Sequence, residues 1–275
     1  MRINRPRHPL TPTGRFVATA ACRYNRAVSC ETRGDPETRE RVVLKLSVLM
    51  PVYNEEAGLA TILERVAAVD VDKEIIVVDD CSSDRTAEIL AEVEIPELRS
   101  VRHPVNRGKG AAIRSALQAA TGDAVIIQDA DLEYDPQDYH ALLEPLISGK
   151  ADVVYGVRSF ANQKLLLRLG NQFLTWLTNL LYGVRLGDME TCYKLMRIEV
   201  ARRLDLECNR FDLEPEITAK IIRMGIPIHE VPISYDPRVE KKLSPWRDGL
   251  PAVKALLRYR HWKPSSSSSQ SRSSV

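Results

Sequence analysis

Cysteine is scarce in this chain. The 5 among 275 residues, Cys22, Cys30, Cys81, Cys192 and Cys208, form no C-x-x-C pair and are odd in number. That pattern argues against a disulfide framework and a structural zinc site, and fits a reducing cytoplasm. Aromatic residues make up only 6% of the chain, and no basic motif is interleaved with them. Nucleic acid is therefore not an expected partner. No charge-free apolar run reaches the ~18 residues of a membrane span. The N-terminal arginines are not followed by the apolar core of a secretory signal. No internal repeat is visible.

Net charge is also small, at +2, but it is unevenly spread. Residues 1–45 and residues 238–263 each carry a net +6, and Arg272 adds one more, leaving −11 on residues 46–237. An acidic body with basic ends fits a metal-using site and an anionic surface near the ends, for which an anionic membrane is the expected source. Residues 1–44 hold Pro6, Pro9, Pro12, Gly14, Gly34 and Pro36 without sustained periodicity, and read as a basic, disordered arm. Residues 261–275 read as a Ser-rich disordered tail. The body, 45–260, is expected to form one domain.

Within the body, short apolar runs alternate with helical spacing. Strands are expected over 46–52, 74–78, 98–101, 124–127 and 152–156, with a further strand over 226–235. Helices are expected over 57–69, from a cap at Ser83 or Asp84 through Val93, and over 108–120, 136–147, 214–225 and 250–259. Strands separated by 10–15-residue helices imply right-handed crossovers and a mostly parallel sheet, an α/β fold. Sites in such sheets lie at the strand carboxyl ends. Pro51–Glu55, Asp79-Asp80, Asp129-Ala130-Asp131 and Arg158 all fall there. Asp129 and Asp131 would share a face of an extended segment. Paired hard-oxygen ligands suit Mg²⁺ or Mn²⁺ bridging to substrate phosphates. Residues 165–184 carry apolar side chains around most of a helix, interrupted by Arg168, Gly170, Asn171 and Gln172. They are expected either to lie on a membrane or guide a lipid, or to pack against the sheet or a second copy. Residues 241–248 read as a polar loop.

Seven stretches, in this order, resemble one family. They are Pro51-Val52-Tyr53-Asn54-Glu55, Val78-Asp79-Asp80-Cys81-Ser82-Ser83-Asp84, Asn106-Arg107-Gly108-Lys109-Gly110-Ala111 and Asp129-Ala130-Asp131-Leu132-Glu133-Tyr134-Asp135-Pro136, then Gly156-Val157-Arg158, Asp188-Met189-Glu190-Thr191-Cys192-Tyr193-Lys194 and Phe211-Asp212-Leu213-Glu214-Pro215-Glu216. The chain resembles the family-2 glycosyltransferases of GT-A (Rossmann-like) fold. Within them it is most similar to the polyprenyl-phosphate branch, the dolichyl-phosphate mannose synthases and undecaprenyl-phosphate glycosyltransferases.

The resemblance implies an inverting hexosyl transfer from a nucleotide sugar, of GDP-mannose or UDP-glucose type, to a polyprenyl phosphate at the cytoplasmic membrane face, with or without a membrane-spanning partner subunit. It implies that Pro51, Tyr53, Glu55 and Asp80 frame the base and ribose, that Lys109 meets anionic groups, and that Asp129, Asp131 and Glu133 carry the metal. Arg158 and Arg168 would meet the acceptor phosphate, and Trp246 and Arg247 would form part of a lid. The mannose synthases tend to have Asp-Pro-Met-Ser-Gly where this chain has Asp188-Met189-Glu190-Thr191-Cys192, which leaves the sugar and the role of Asp188 open. Two alternatives stand beside this reading. One is transfer to a hydroxyl of a soluble sugar or polysaccharide, with Asp188 or Glu190 as base. The other is nucleotide-sugar binding without catalysis.

Overall fold

The computed structural model describes residues 44–159, 165–237 and 245–264, and the side chains of all of these except 165 and 245–248. The expected arm, apart from its last residue, and the tail from residue 265 lie outside the described residues.

Three apolar runs make the centre of a sheet. β1 (Leu46–Val52), β2 (Lys73–Asp79) and β4 (Ala124–Ile127) are buried along nearly their whole length. That is the expected state of parallel strands covered on both faces. β3 (Leu98–Arg102) lies at the edge and is mostly exposed. Further along come β5 (Val153–Arg158), β6 (Lys194–Arg197) and β7 (His229–Ile233). Together they form a seven-stranded sheet in the order β3-β2-β1-β4-β6-β5-β7. β6 is antiparallel to both neighbours, and the other pairings are parallel. The mostly parallel α/β sheet is as expected, but β6 was not anticipated.

Helices α1 (Leu59–Ala67), α2 (Thr86–Glu92), α3 (Lys109–Ala119) and α4 (Tyr139–Ile147) follow β1 to β4 in turn. Apolar residues of α1 at positions 59, 62, 63 and 66 are buried, as their spacing requires. The stretch from Pro136 divides: Pro136–Asp138 is a 3-10 turn, capped by the Asp135 carboxylate accepting from Gln137 N–H, and α4 follows. α5 (Leu165–Tyr182), the short α6 (Ile198–Arg203), α7 (Leu213–Arg223) and α8 (Pro245–Tyr259) complete the order. α8 begins at Pro245, so the expected loop over 241–248 is helical in its last four residues, with proline near the first turn where its missing N–H is harmless.

α5 and α8 share a small apolar cluster, Leu174, Met189, Ala252 and Leu256. α7 and α8 share another around Ala219, Ala255 and Tyr259. No helix among the described residues is long and apolar enough to cross a membrane.

Candidate active site

The carboxyl ends of β1, β2 and β4 form a rim, and each end is held differently. At β2 both aspartates accept hydrogen bonds from neighbouring parts of the chain. Asp80 is buried. It accepts from His103 Nδ1 (2.6 Å), from Arg107 N–H (2.9 and 3.1 Å to its two oxygens) and from Gly108 N–H (2.6 Å). It thus ties the 103–108 loop to the end of β2. Asp79 accepts from Ser82 N–H at 2.8 Å and faces Arg102 Nε at 3.2 Å. At β1, Asn54 adopts a left-handed conformation (φ 53°). Its amide N–H donates to Ser82 Oγ, and its side-chain oxygen accepts from Ser83 N–H. Glu55 N–H donates to Thr86 Oγ1. Tyr53 stands exposed at this end, and Pro51 is half-buried beneath it.

The Gly108-Lys109-Gly110 turn is set by close packing. Gly108 has φ +90°, and a Cβ there would lie 2.2 Å from the Asn209 carbonyl oxygen. A Cβ on Gly110 would lie 2.2 Å from the Cys208 carbonyl oxygen. Only glycine fits either place. The turn delivers Lys109 inward, where its ammonium lies 2.9 Å from Asp129 Oδ1 and 2.8 Å from Glu214 Oε1. Burial alone would lower the Lys109 pKa, but Asp129 and Glu214 hold it well above its ordinary value. Lys109 was expected to meet anionic ligand groups. Here it bridges two carboxylates of the chain itself, and Glu214 was not foreseen as a site residue.

At β4 the support comes from below. Buried Gln128 accepts from Tyr139 Oη (2.6 Å) and Tyr193 Oη (2.7 Å), and its side-chain N–H donates to the Asp129 carbonyl (2.9 Å). Asp129 and Asp131 are half-buried. Leu132 between Asp131 and Glu133 is left-handed (φ 62°), and Glu133 N–H donates to Asp131 Oδ1 at 3.2 Å. The Glu133 carboxylate accepts from Tyr235 Oη at 2.8 Å. Among the described residues no group of three or more His, Cys, Asp and Glu is placed to hold a metal ion. The expected three-carboxylate set Asp129, Asp131 and Glu133 is therefore not a preformed cage: Asp129 is paired with Lys109, and Glu133 accepts from Tyr235. The half-buried Asp131 does suit the other way a magnesium-like ion is held, by one or two carboxylates together with substrate phosphates and water.

On the far side of β4, Arg158 at the end of β5 is buried. It donates to Asp188 through Nε (2.6 Å) and Nη2 (2.9 Å), and its guanidinium carbon lies 5.2 Å from the Tyr235 ring centre. Burial opposes the charge, but Tyr134 and Asp188 keep the Arg158 pKa well above its ordinary value. Asp188 is fully buried in this two-toothed pair, which does not suit it to be a base. Arg168 is exposed on α5, so the two expected phosphate ligands differ sharply in setting.

Glu190 carries one of two buried carboxylate oxygens that lack a hydrogen bond among the described residues, the other being Asp79 Oδ2. Its Oε1 is buried with no hydrogen-bond partner. Burial, then the charge of Glu214, pushes its pKa up to about 7, against the pull of Lys194 and Arg158. The side chains of Trp246 and Arg247, the expected lid, lie outside the described residues.

The family model for glycosyl transferase family 2 matches residues 47–203. This chain belongs to that family. It is 32% identical over 222 residues to the low-salt glycan biosynthesis hexosyltransferase Agl6 of Haloferax volcanii, covering 77% of this chain and 53% of that protein. It is 34% identical over 174 residues to the undecaprenyl-phosphate 4-deoxy-4-formamido-L-arabinose transferase of Pectobacterium carotovorum, covering 61% and 53%. The dodecaprenyl-phosphate galacturonate synthase of Rhizobium johnstonii is 32% identical over 181 residues, at 61% and 53%. The chain thus spans about half the length of these relatives. Among solved structures, the glucosyl-3-phosphoglycerate synthase of Mycobacterium tuberculosis, in complex with Mn²⁺, UDP-glucose and phosphoglyceric acid, superposes with a TM-score of 0.65 at 22% identity, covering 81% of each chain. The fold is that of the GT-A glycosyltransferases.

Proposed function

We propose that this family-2 glycosyltransferase moves a hexose from a nucleotide sugar, of GDP-mannose or UDP-glucose type, to a polyprenyl monophosphate at the cytoplasmic face of a membrane. The observation that carries the proposal is the half-buried Asp129–Asp131 pair at the end of β4, flanked on one side by Lys109 and on the other by the Arg158–Asp188 pair. The names of the Pectobacterium and Rhizobium relatives support the lipid acceptor.

On this reading Asp131 and Asp129 would hold Mg²⁺ or Mn²⁺, and the ion would supply Lewis-acid neutralisation of the departing nucleoside diphosphate. Pro51, Tyr53 and Glu55 line the base and ribose side, and Asp80 shapes that side by fixing the 103–108 loop. Arg158, kept charged and oriented by Asp188, positions the acceptor phosphate, and the exposed Arg168 is a second cation for it. An acceptor phosphate oxygen attacks the anomeric carbon as the bond to the diphosphate breaks, with inversion. A phosphate monoester with a second pKa of ~6 is largely deprotonated at neutral pH and needs no strong base.

A second reading is favoured by Glu190. A buried carboxylate pushed up to about 7 beside the Arg158–Asp188 pair is suited to take a proton from a sugar hydroxyl. One experiment separates the two: purified protein, Mg²⁺ or Mn²⁺, labelled UDP- and GDP-sugars, and either a short-chain polyprenyl phosphate or a soluble sugar acceptor. Label in the lipid product, lost on chelation and in Asp131→Ala, is the expected result. Label only on the soluble acceptor moves the assignment to hydroxyl transfer. Metal-dependent donor binding without any transfer points to a missing membrane partner or to a non-catalytic binder.

A further inference from the structure

α5 is apolar on both sides. Leu174 is buried against Met189 and α8, and Thr175 and Thr178 are buried beside it. At 100° per residue the opposite side carries Leu166, Leu169, Phe173, Trp176 and Leu180. All five are 52–66% exposed. Their spacing of three and four residues makes one unbroken row about 21 Å long. Phe173 and Trp176 adjoin on it, with ring centres 6.0 Å apart. A helix apolar all round is ordinarily enclosed. Here half of it has nothing of this chain over it among the described residues. A row this long exceeds the scattered single apolar residues of an ordinary surface, and marks an interaction face.

Charge decides what fits the face. Among the described side chains, α5 carries one charge, Arg168, and no carboxylate. α8, packed against α5, leaves Leu250 and Leu257 exposed one heptad apart, with Lys254 exposed between them. Arg260 and Lys263 are exposed just beyond α8. Arg258 is offset by Glu207 at 2.6 Å, but among the described side chains of the two helices no carboxylate answers the others. A second copy would bring the same cations onto themselves across a twofold interface. An anionic bilayer answers them and takes up the leucines and aromatic rings at its boundary.

We infer that the outer faces of α5 and α8 seat this protein in the plane of an anionic lipid surface, with the Leu166–Leu180 row embedded and the α8 cations at the headgroups. The inference deepens the lipid-acceptor reading and rests on it for its purpose, but vesicle binding tests it without any transfer. The full chain is sedimented with vesicles of phosphatidylcholine alone, or mixed with phosphatidylglycerol, both free of polyprenyl phosphate.

The expected result is binding to the mixed vesicles, weakened as salt rises to about 0.5 M. It should fall at least about tenfold in Trp176→Glu and in Phe173→Glu, and by a smaller factor in Lys254→Glu. Leu257→Glu, on the neighbouring helix, provides a second apolar test should an α5 variant fold poorly. Transfer to a water-soluble short-chain acceptor should be unchanged in these variants. Absence of wild-type binding to either vesicle, equal binding to both, or binding indifferent to all the glutamate variants overturns the inference. So does a wild-type dimer in light scattering that becomes monomeric in Trp176→Glu, which assigns the row to a second copy. Vesicle binding retained without any lipid transfer overturns the acceptor reading alone.

Discussion

Two aspartate pairs end neighbouring regions of the sheet, and they are put to opposite uses. The pair at the end of β2 is consumed by the chain. Asp80 accepts from two backbone N–H groups and a histidine, and Asp79 accepts from Ser82 N–H beside Arg102. The pair at the end of β4 is half-buried, and Asp129 in it is paired with a lysine side chain, which can move, rather than with backbone, which cannot. Carboxylates satisfied by backbone amides shape a loop. Carboxylates balanced by a side-chain cation can exchange that partner for a ligand.

The comparison breaks most sharply at Asp131 and Asp80. Asp131→Ala is expected to lower transfer by about a thousandfold, on the order of 4 kcal/mol, while melting stays within a few degrees of wild type. Asp80→Ala should do the reverse in stability. It strands His103, Arg107 N–H and Gly108 N–H, at about 2–4 kcal/mol and a clear drop in melting temperature. Calorimetry beside a transfer assay checks both, and equal melting temperatures for the two variants would remove the distinction.

Next in size is Lys109→Met, which leaves Asp129 and Glu214 facing each other and should cost about 3 kcal/mol. Adding Glu214→Gln should restore part of that loss. A double-mutant cycle in urea that shows no coupling would release Glu214 from Lys109.

The smallest effect concerns Glu190. Its folded pKa, about 7, lies above its ordinary 4.5, so between those values the folded protein binds more protons than the unfolded one. Its contribution to stability is therefore lost as pH rises through that window. Glu190→Gln should melt like wild type near pH 4.5 and above it near pH 8. Parallel melting curves across that range would place Glu190 in a more solvated setting.

Much of this arrangement was legible in the sequence, for physical reasons. β1, β2 and β4 are continuous apolar runs because both faces are covered, so their limits read to within about a residue. The carboxylates at their ends stood out against those runs. β6 did not read. It is four residues long, starts and ends on a cation, and buries Lys194 completely, where the ammonium donates to the Met189 and Thr191 carbonyls. That solution depends on tertiary contacts that no local pattern announces. Glu214 was quoted as part of a motif but given no role, since its partner Lys109 lies 105 residues away. Tyr235 likewise reaches Glu133 across 102 residues. Arg158 was visible at a strand end, whereas its burial against Asp188 was not.

The reversal of β6 has a consequence for how such a protein diversifies. Its neighbours reach the functional rim with their carboxyl ends, but β6, running the other way, presents its amino end there. The residues leading into it, Asp188 to Tyr193, therefore meet the rim from the opposite chain direction to Asp129 and Asp131. One side of the rim belongs to the first ninety residues of the sheet and the other to a later, separately anchored segment. Selection, or an engineer, can change Glu190 without touching the Tyr193–Gln128 support under Asp129 or the glycine turn that delivers Lys109. On the proposed reading, this lets new acceptors be tried against an unchanged donor half.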